Sequence, residues 1–327
     1  MILAPFELHR PRRLDEAVRL AAEHGVDADF ISGGTDLLQN YKNRIHPKPH
    51  LIALGAVPEL RGIEVGRIGA AETLSTIAAS PLVREHYPGI CEAVGVVASP
   101  LVRNSGTLGG NLLVETRCTW FNQTAFWRAT KGSCMKAESD TCLVVPQKEV
   151  CYAAYSGDLA PILLVLEASI ELASAAGRRT VPLRDFYRGD GIRKNVLARG
   201  EVLVAVRIPE EASTLRAGYR KLRVRDTLDY PEMGTAAAIS LDGAGRVQVL
   251  RCATTAVDMV PQFRDFGEVH GGKRIAEVID AVAAEMEDLA APKKNTSMPV
   301  GYRKKMVRVY LRRLLTDLVE GRQGAVD

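Results

Sequence analysis

The sequence predicts an α+β fold with a distinct C-terminal domain. Three observations lead there. Strand-like and helix-like patches alternate from the N-terminus onward, whereas consecutive strand candidates followed by two long amphipathic helices begin near residue 213. The 327 residues suit about two domains at roughly 100–200 residues each. Composition is that of an ordinary globular chain, 46% hydrophobic and 25% charged.

Each element has its own signal. LDEAVRLAAEH (14–24) has helical periodicity, with Leu14, Val18 and Ala21 on one face. DADFIS (27–32) is a short strand candidate that runs into Gly33-Gly34 and a helix-like DLLQNYKN. LIAL (51–54) is a further strand candidate, followed by VPELRGI. GRIGAAETLSTIAAS (66–80) reads as strand, turn and short helix. DLAPILLVLEA (158–168) reads as a buried helix, and ASIELAS and TVPL as strands about the AAGRR turn. GYRKLRV, GTAAAISL and RVQVLRCATTA read as antiparallel strands, the last two joined by DGAGR. RIAEVIDAVAAEMEDL and YRKKMVRVYLRRLLTDLVEG are amphipathic. In the second, Val307, Leu311, Leu314 and Leu318 oppose Lys305, Arg308 and Arg312.

The bulk properties exclude several classes. Net charge is +4, too mild to point to nucleic acid but compatible with an acidic protein partner. No apolar run approaches the ~20 residues of a membrane-spanning helix, so no membrane role is expected. The opening MILAPFELHRPRRLDEA lacks the order of a signal peptide, which predicts a cytoplasmic chain with reduced thiols.

Two glycine loops suggest phosphate binding. They are Ser32-Gly33-Gly34-Thr35-Asp36-Leu37 and Asn104-Ser105-Gly106-Thr107-Leu108-Gly109-Gly110-Asn111-Leu112. Glycines let backbone N–H groups approach phosphate oxygens closely, and the interleaved Ser, Thr and Asn add donors. Two such loops are suited to clamp a pyrophosphate from two sides. A single Gly-Gly is more often a plain turn. Neither loop is a Rossmann fingerprint or a Walker loop.

FISGGTDLL, NSGTLGGNL and SGDLAPILLVLEAS, in that order, resemble the FAD-binding subunit of the molybdenum hydroxylase (xanthine dehydrogenase) family. The resemblance covers nearly the whole chain. It implies a two-lobed FAD-binding domain over 1–212, with lobes of about 1–57 and 58–212, and a C-terminal flavoprotein domain over 213–327. It implies that Gly33, Gly34, Thr35 and Asp36, flanked by Ser32 and Leu37, hold the FAD pyrophosphate. Thr73 would sit near the cofactor, and Gly109, Gly110 and Asn111, with Asn104, Ser105 and Thr107, would form the second loop. Asp158 would bind a polar part of FAD, and Lys221 would approach the flavin from the C-terminal domain. For Lys221 a solvated strand lysine is an equal alternative.

Ordinary members of that family have the second loop and the Asp-Leu motif nearly adjacent. Here Cys118, Cys134, Cys142 and Cys151 lie between them, on an insert spanning 115–155 that also holds both tryptophans. Four thiolates fit a [4Fe–4S] cluster, whose ligands tolerate wide spacing when a loop wraps it. Structural zinc, two disulfides and four unrelated buried cysteines remain open alternatives, although zinc-knuckle spacing is absent and a reducing compartment disfavours disulfides. Trp120, Phe121, Phe126, Trp127, Tyr152 and Tyr155 are expected to build a small satellite core around the cluster. Cys91 and Cys252 are expected to be buried small hydrophobes.

Within the family, such an insert resembles the β subunit of 4-hydroxybenzoyl-CoA reductase. That resemblance implies an oxidoreductase subunit passing electrons from ferredoxin through [4Fe–4S] and FAD. The acceptors would be a [2Fe–2S] small subunit and a molybdenum cofactor on a large subunit, in a dimer of heterotrimers. Substrate would bind on another chain, and no catalytic residue is expected here. An oxidative molybdenum hydroxylase subunit with outward flow, a stand-alone FAD oxidoreductase and a non-enzymatic scaffold are the alternatives. Between Glu115 and Tyr155 five basic residues face four acidic ones, Glu138 among them, a net of 5 − 4 = +1. Steering of an acidic ferredoxin should therefore be modest. The six histidines show no ligand spacing.

Overall fold

The structure is a computed structural model that describes residues 2–137 and 139–322. Three sheets organise it. In the first, β1 (Glu7–His9), β3 (His50–Ala53) and β2 (Ala28–Ile31) are parallel in the order β1-β3-β2. Helix α1 (Leu14–His24) covers this sheet by burying Leu14, Ala17, Val18, Leu20 and Ala21. Helix α2 (Leu37–Lys42) follows the first glycine loop.

The second sheet is antiparallel, in the order β4 (Ile63–Glu64), β5 (Arg67–Gly69), β8 (Val202–Arg207), β6 (Ser169–Ser174) and β7 (Gly177–Pro182). Sequence reading missed β8. It is a central strand, and its first five residues are all buried, so VLVAV carries no alternation to recognise. Between β5 and β6 lie the short helices α3 (Leu74–Ala79), α4 (Pro81–His86), α5 (Pro88–Gly95), α6 (Pro100–Arg103), α7 (Leu108–Leu112) and α8 (Ala125–Lys131), then the buried helix α9 (Leu159–Val165). Prolines stand at the starts of α4, α5 and α6, where the missing N–H carries no penalty.

The third sheet runs β12 (Gln262–Asp265), β11 (Val247–Thr255), β10 (Met233–Leu241), β9 (Arg216–Leu222), all antiparallel. The short helix α10 (Gly267–His270) and the long α11 (Ile275–Leu289) and α12 (Val300–Val319) complete the chain. The sheet is covered on both faces. Ala236 and Ala238 of β10 join the core of α5 and α9, while Ala237 and Ile239 join the core of α11 and α12. Period-two alternation thus sends neighbouring alanines into different cores. The expected face of α12 is buried: Val307, Leu311, Leu314 and Leu318 all pack inward.

Candidate flavin cleft and cysteine centre

The two glycine loops meet. A Cβ on Gly33 would lie 2.0 Å from the Ser105 carbonyl oxygen, so the first loop's backbone rests directly on the second. Gly34 has φ +70°, a left-handed conformation that glycine adopts without strain. Thr107 caps α7 by accepting from the Gly110 N–H at 3.2 Å, which fixes the second loop. Asn111 Oδ1 accepts from the Leu159 N–H at 2.9 Å and ties that loop to α9.

Between the loops opens a cavity of about 480 Å³, within the range of small-molecule sites. Ser32, Gly33, Gly34, Thr35, Asp36, Leu37, Thr107, Gly109, Gly110, Asn111 and Asp158 all line it. Thr73, Asn104 and Ser105 do not. Thr73 caps α3 by accepting from Thr76, Asn104 accepts from the Ser75 hydroxyl at 2.6 Å, and Ser105 supports Gly33. These three shape the loops from behind.

Two features of the cavity fit a polar ligand. The buried hydroxyl oxygen of Ser32 has no hydrogen-bond partner, and a native fold rarely leaves such a group unsatisfied. Gly110 lines the cavity and is exposed. These features suit a phosphate-bearing cofactor such as FAD.

Asp36 is the hub of the rim. Its carboxylate accepts from the Tyr230 hydroxyl at 2.9 Å, from the Glu115 N–H at 3.1 Å and from Asn40 at 3.2 Å, and it pairs with Arg117 at 3.4 Å. The Arg117 guanidinium lies 4.3 Å over the Tyr230 ring. Asp158 is buried against Lys221 at 3.1 Å and accepts from the Tyr219 hydroxyl at 2.9 Å. Burial pushes the Asp158 carboxyl up, and Lys221 opposes this. The Lys221 side chain is only 1% exposed, so it is no solvated strand lysine. It bonds the Val96 carbonyl at 3.1 Å and does not line the cavity; its partner Asp158 does. Sequence reading missed Lys194, Tyr230 and Glu115 on the cavity wall, because each reaches it through long-range packing and carries no local signature.

The four cysteines converge. Cys118, Cys134, Cys142 and Cys151 are all buried, and all line one small cavity. Trp120, Phe121, Leu143 and Val144 complete its walls. All six cysteines of the chain are free thiols. Two zinc thiolates would stand about 3.8 Å apart, given a Zn–S bond of ~2.3 Å and tetrahedral angles. Among the described residues, no three of these sulfurs come within 4.8 Å of one another. The four thiols thus surround one space without forming a tight set of three. Burial pushes the Cys118 and Cys151 thiols up to about 11, opposed in part by backbone hydrogen bonds from Trp120 and Phe121 to Cys118 and from Ala153 to Cys151.

Lys136 also lines this cavity and is buried. Its ammonium donates to Glu115 at 2.6 Å and lies 4.7 Å over the Phe121 ring. Glu115 in turn pairs with Lys194 at 3.6 Å, and both of these line the flavin cleft. Burial pushes the Glu115 carboxyl up, but Lys194 and Lys136 together hold it well below the usual carboxylate range. One charge chain, buried at Lys136 and half-buried at Glu115 and Lys194, therefore joins the two cavities.

The aromatic expectation needs correction: Tyr152 lies outside the satellite core, with the Lys293 ammonium 5.6 Å over its ring. Phe126 is 81% exposed on α8, and Tyr155 belongs to the main core beside Tyr187. Phe121 is buried at the cysteines, and Trp120 packs on it with Trp127 at 6.0 Å beyond. Cys252 is fully buried in β11 and burial pushes its thiol up, whereas Cys91 is half-buried in α5. Of the charges expected on the insert, Glu138 lies outside the described residues.

Comparison with known proteins fits this geometry. Residues 4–211 match the family model described as the FAD binding domain in molybdopterin dehydrogenase. The chain belongs to this family. It is 35% identical over 242 residues to the aldehyde oxidoreductase FAD-binding subunit PaoB of Escherichia coli, covering 70% of this chain and 76% of that one. It is 29% identical to the carbon monoxide dehydrogenase medium chain of Hydrogenophaga pseudoflava, over 96% of this chain and 97% of that one. The structure of reconstituted CO dehydrogenase from Oligotropha carboxidovorans superposes with a TM-score of 0.81 at 27% identity, covering 98% of this chain and 99% of that one. The chain is thus a FAD-binding subunit of the molybdenum hydroxylase type. Among the described residues, no helix is long and apolar enough to cross a membrane.

Proposed function

We propose that this subunit carries a [4Fe–4S] cluster beside its FAD and passes electrons within an enzyme of the 4-hydroxybenzoyl-CoA reductase kind. The observation that carries the proposal is the cysteine cavity: four buried thiols around one space, joined to the flavin cleft through Lys136, Glu115 and Lys194. The cluster would supply one-electron steps and FAD both one- and two-electron steps.

The chain's own residues then have definite tasks. Ser32 offers its unpaired hydroxyl to the cofactor, and Gly33, bare where the Ser105 carbonyl approaches, lets the two loops close on one another so that both line the cleft. Asp36, held by Tyr230 and Arg117, fixes the rim, and Asp158 with Lys221 fixes the start of α9. Lys136 offsets the negative charge of four thiolates, while Trp120 and Phe121 exclude water. The proposal divides the chain into domains at 1–212 and 213–327, with lobes parting near residue 57. It places the chain in the cytoplasm with a molybdenum large subunit and a [2Fe–2S] small subunit, as a dimer of heterotrimers reduced by ferredoxin. In the overall reaction 4-hydroxybenzoyl-CoA takes up two electrons and two protons, releases water and becomes benzoyl-CoA.

A second reading has its own support. The 35% identity to an aldehyde oxidoreductase subunit favours electron flow outward from aldehyde oxidation. One experiment separates them: anaerobic assays of the assembled complex with reduced ferredoxin plus 4-hydroxybenzoyl-CoA, and with an aldehyde plus a one-electron acceptor. Benzoyl-CoA formation, lost in a Cys118→Ser variant that keeps FAD, supports the reductase. Aldehyde-driven reduction without benzoyl-CoA supports the second reading. A purified chain with flavin bands but no iron or sulfide overturns the cluster in either case.

A further inference from the structure

Three of the histidines, unremarkable in sequence, come together in the fold. His9 ends β1, His50 begins the neighbouring strand β3, and His24 is the last residue of α1. His9 Nε2 lies 3.2 Å from His50 Nδ1. The His24 ring stacks on His50 with centroids 4.0 Å apart and lies 4.6 Å from His9. One ring nitrogen from each of the three lies within 4.8 Å of the other two. Beside them, Glu7 Oε2 is 3.6 Å from His50 Nδ1, and Glu7 Oε1 is 3.9 Å from His9 Nδ1. None of these residues lines the flavin cleft or the cysteine cavity.

Imidazoles at this density match a transition-metal ligand set. A zinc ion bound by nitrogen at ~2.0–2.1 Å with tetrahedral angles places neighbouring ligand nitrogens about 3.3–3.4 Å apart. The His9–His50 separation of 3.2 Å is close to that value, and Glu7 Oε2 stands 3.6 Å from the same His50 nitrogen. His24 must slide partly off the stacked His50 ring to join them, a small torsional change for half-buried side chains. The C-terminus of α1, where His24 sits, carries the negative end of the helix dipole and favours a cation. Three neutral imidazoles and one carboxylate make a closed set of N and O donors, suited to zinc and neighbouring divalent ions.

We propose that His9, His24 and His50, with the Glu7 carboxylate in the fourth position, form a structural site for a divalent transition metal of the zinc class. Bound metal would pin the first strand and the end of α1 to the parallel sheet whose next loop enters the flavin cleft. The test uses the purified full chain with its own cofactors, stripped by a chelator and dialysed against zinc. Elemental analysis should find one zinc per chain, and zinc-edge X-ray absorption should find nitrogen and oxygen ligands with an imidazole signature. The zinc should persist in Cys118→Ser, which separates this site from the thiols. It should be lost in His24→Gln and in His9→Gln, with circular dichroism confirming that both variants are folded. Zinc should also raise the melting temperature of the native chain but not of His24→Gln. No retained zinc, sulfur in the ligand shell, or zinc undiminished in both histidine variants would overturn the proposal.

Discussion

The flavin cleft and the cysteine cavity are built in opposite ways. The cleft is made of backbone. Its two loops touch at Gly33 and Ser105 and hang on strand β2 and helices α7 and α9, which pack on the main cores with or without a ligand. The cysteine centre is made of side chains on a segment with little regular structure: helix α8 and a short turn at Met135–Ala137. Among the described residues, its satellite core buries Ile45, Phe121, Ala153 and three of the cysteines. Such a segment gains much of its order from what its ligands bind. The lesson is that cofactor loss should leave the cleft intact and loosen the insert.

The largest expected effect tests that contrast directly. Cys118→Ser or Cys151→Ser should remove essentially all iron while FAD stays bound, and hydrogen exchange should rise across 113–154 alone. Cys252→Ser should leave iron unchanged. If exchange rises equally around Ser32–Leu37, the two regions are not independent.

Next in size is the buried pair Lys221–Asp158, which belongs to the scaffold of the cleft. Lys221→Met strands a buried carboxylate and should cost about 3–5 kcal/mol in denaturant unfolding. The double variant with Asp158→Asn should recover most of that loss. The sign with pH follows from the direction of the shift. Burial raises the folded Asp158 value above its unfolded one, so ionising it opposes folding. The lysine offsets this cost in the native chain. In Lys221→Met stability should be greatest below the ordinary carboxylate range and fall as pH rises through it. A flat profile would mean that Asp158 is not the stranded group.

The glycine loops allow a finer comparison within the cleft. Gly33→Val drives a side chain into the Ser105 carbonyl and should cost about 1–3 kcal/mol of stability, the usual cost of overpacking, together with FAD occupancy. Gly110→Ala crowds the Thr107 hydroxyl that caps α7, a side-chain contact, so it should cost less stability than Gly33→Val while FAD binding weakens. Undiminished FAD content in Gly110→Ala would mean that no cofactor approaches this loop.

The smallest effects lie at the rim. Tyr230→Phe removes one hydrogen bond to Asp36 and should weaken FAD binding by about 0.5–1.5 kcal/mol, read by flavin release. Reduction of the complex by ferredoxin should slow only slightly with salt, since the insert's charges nearly cancel over a Debye length of ~8 Å. A steep salt dependence would move the docking surface elsewhere.

Much of this was legible in the sequence for identifiable reasons. The glycine loops are local, continuous motifs, and glycine has few roles in such a setting, so the order of residues alone was enough to place Gly33, Gly34, Gly109 and Gly110 at the cleft. The face of α12 followed from 3.6-residue periodicity. The density of cysteines marked a site because thiols are rare. Strand β8 escaped because a central strand buried on both sides loses its alternation. Phe126 misled because hydrophobicity gives no direction on a short helix whose partner is unknown.

By itself the sequence determined the FAD-binding family, the loops that form the cleft and the cysteines that share a centre, because each rests on residue types in a fixed local order. Only the tertiary structure decided that Lys221 is buried on Asp158, that Lys136, Glu115 and Lys194 join the two cavities, and that His9, His24 and His50 meet. Those pairings span 15 to 79 residues of chain, for example 194 − 115 = 79 and 24 − 9 = 15. They are set by how strands and helices pack, and no window of sequence contains the forces that bring such partners together.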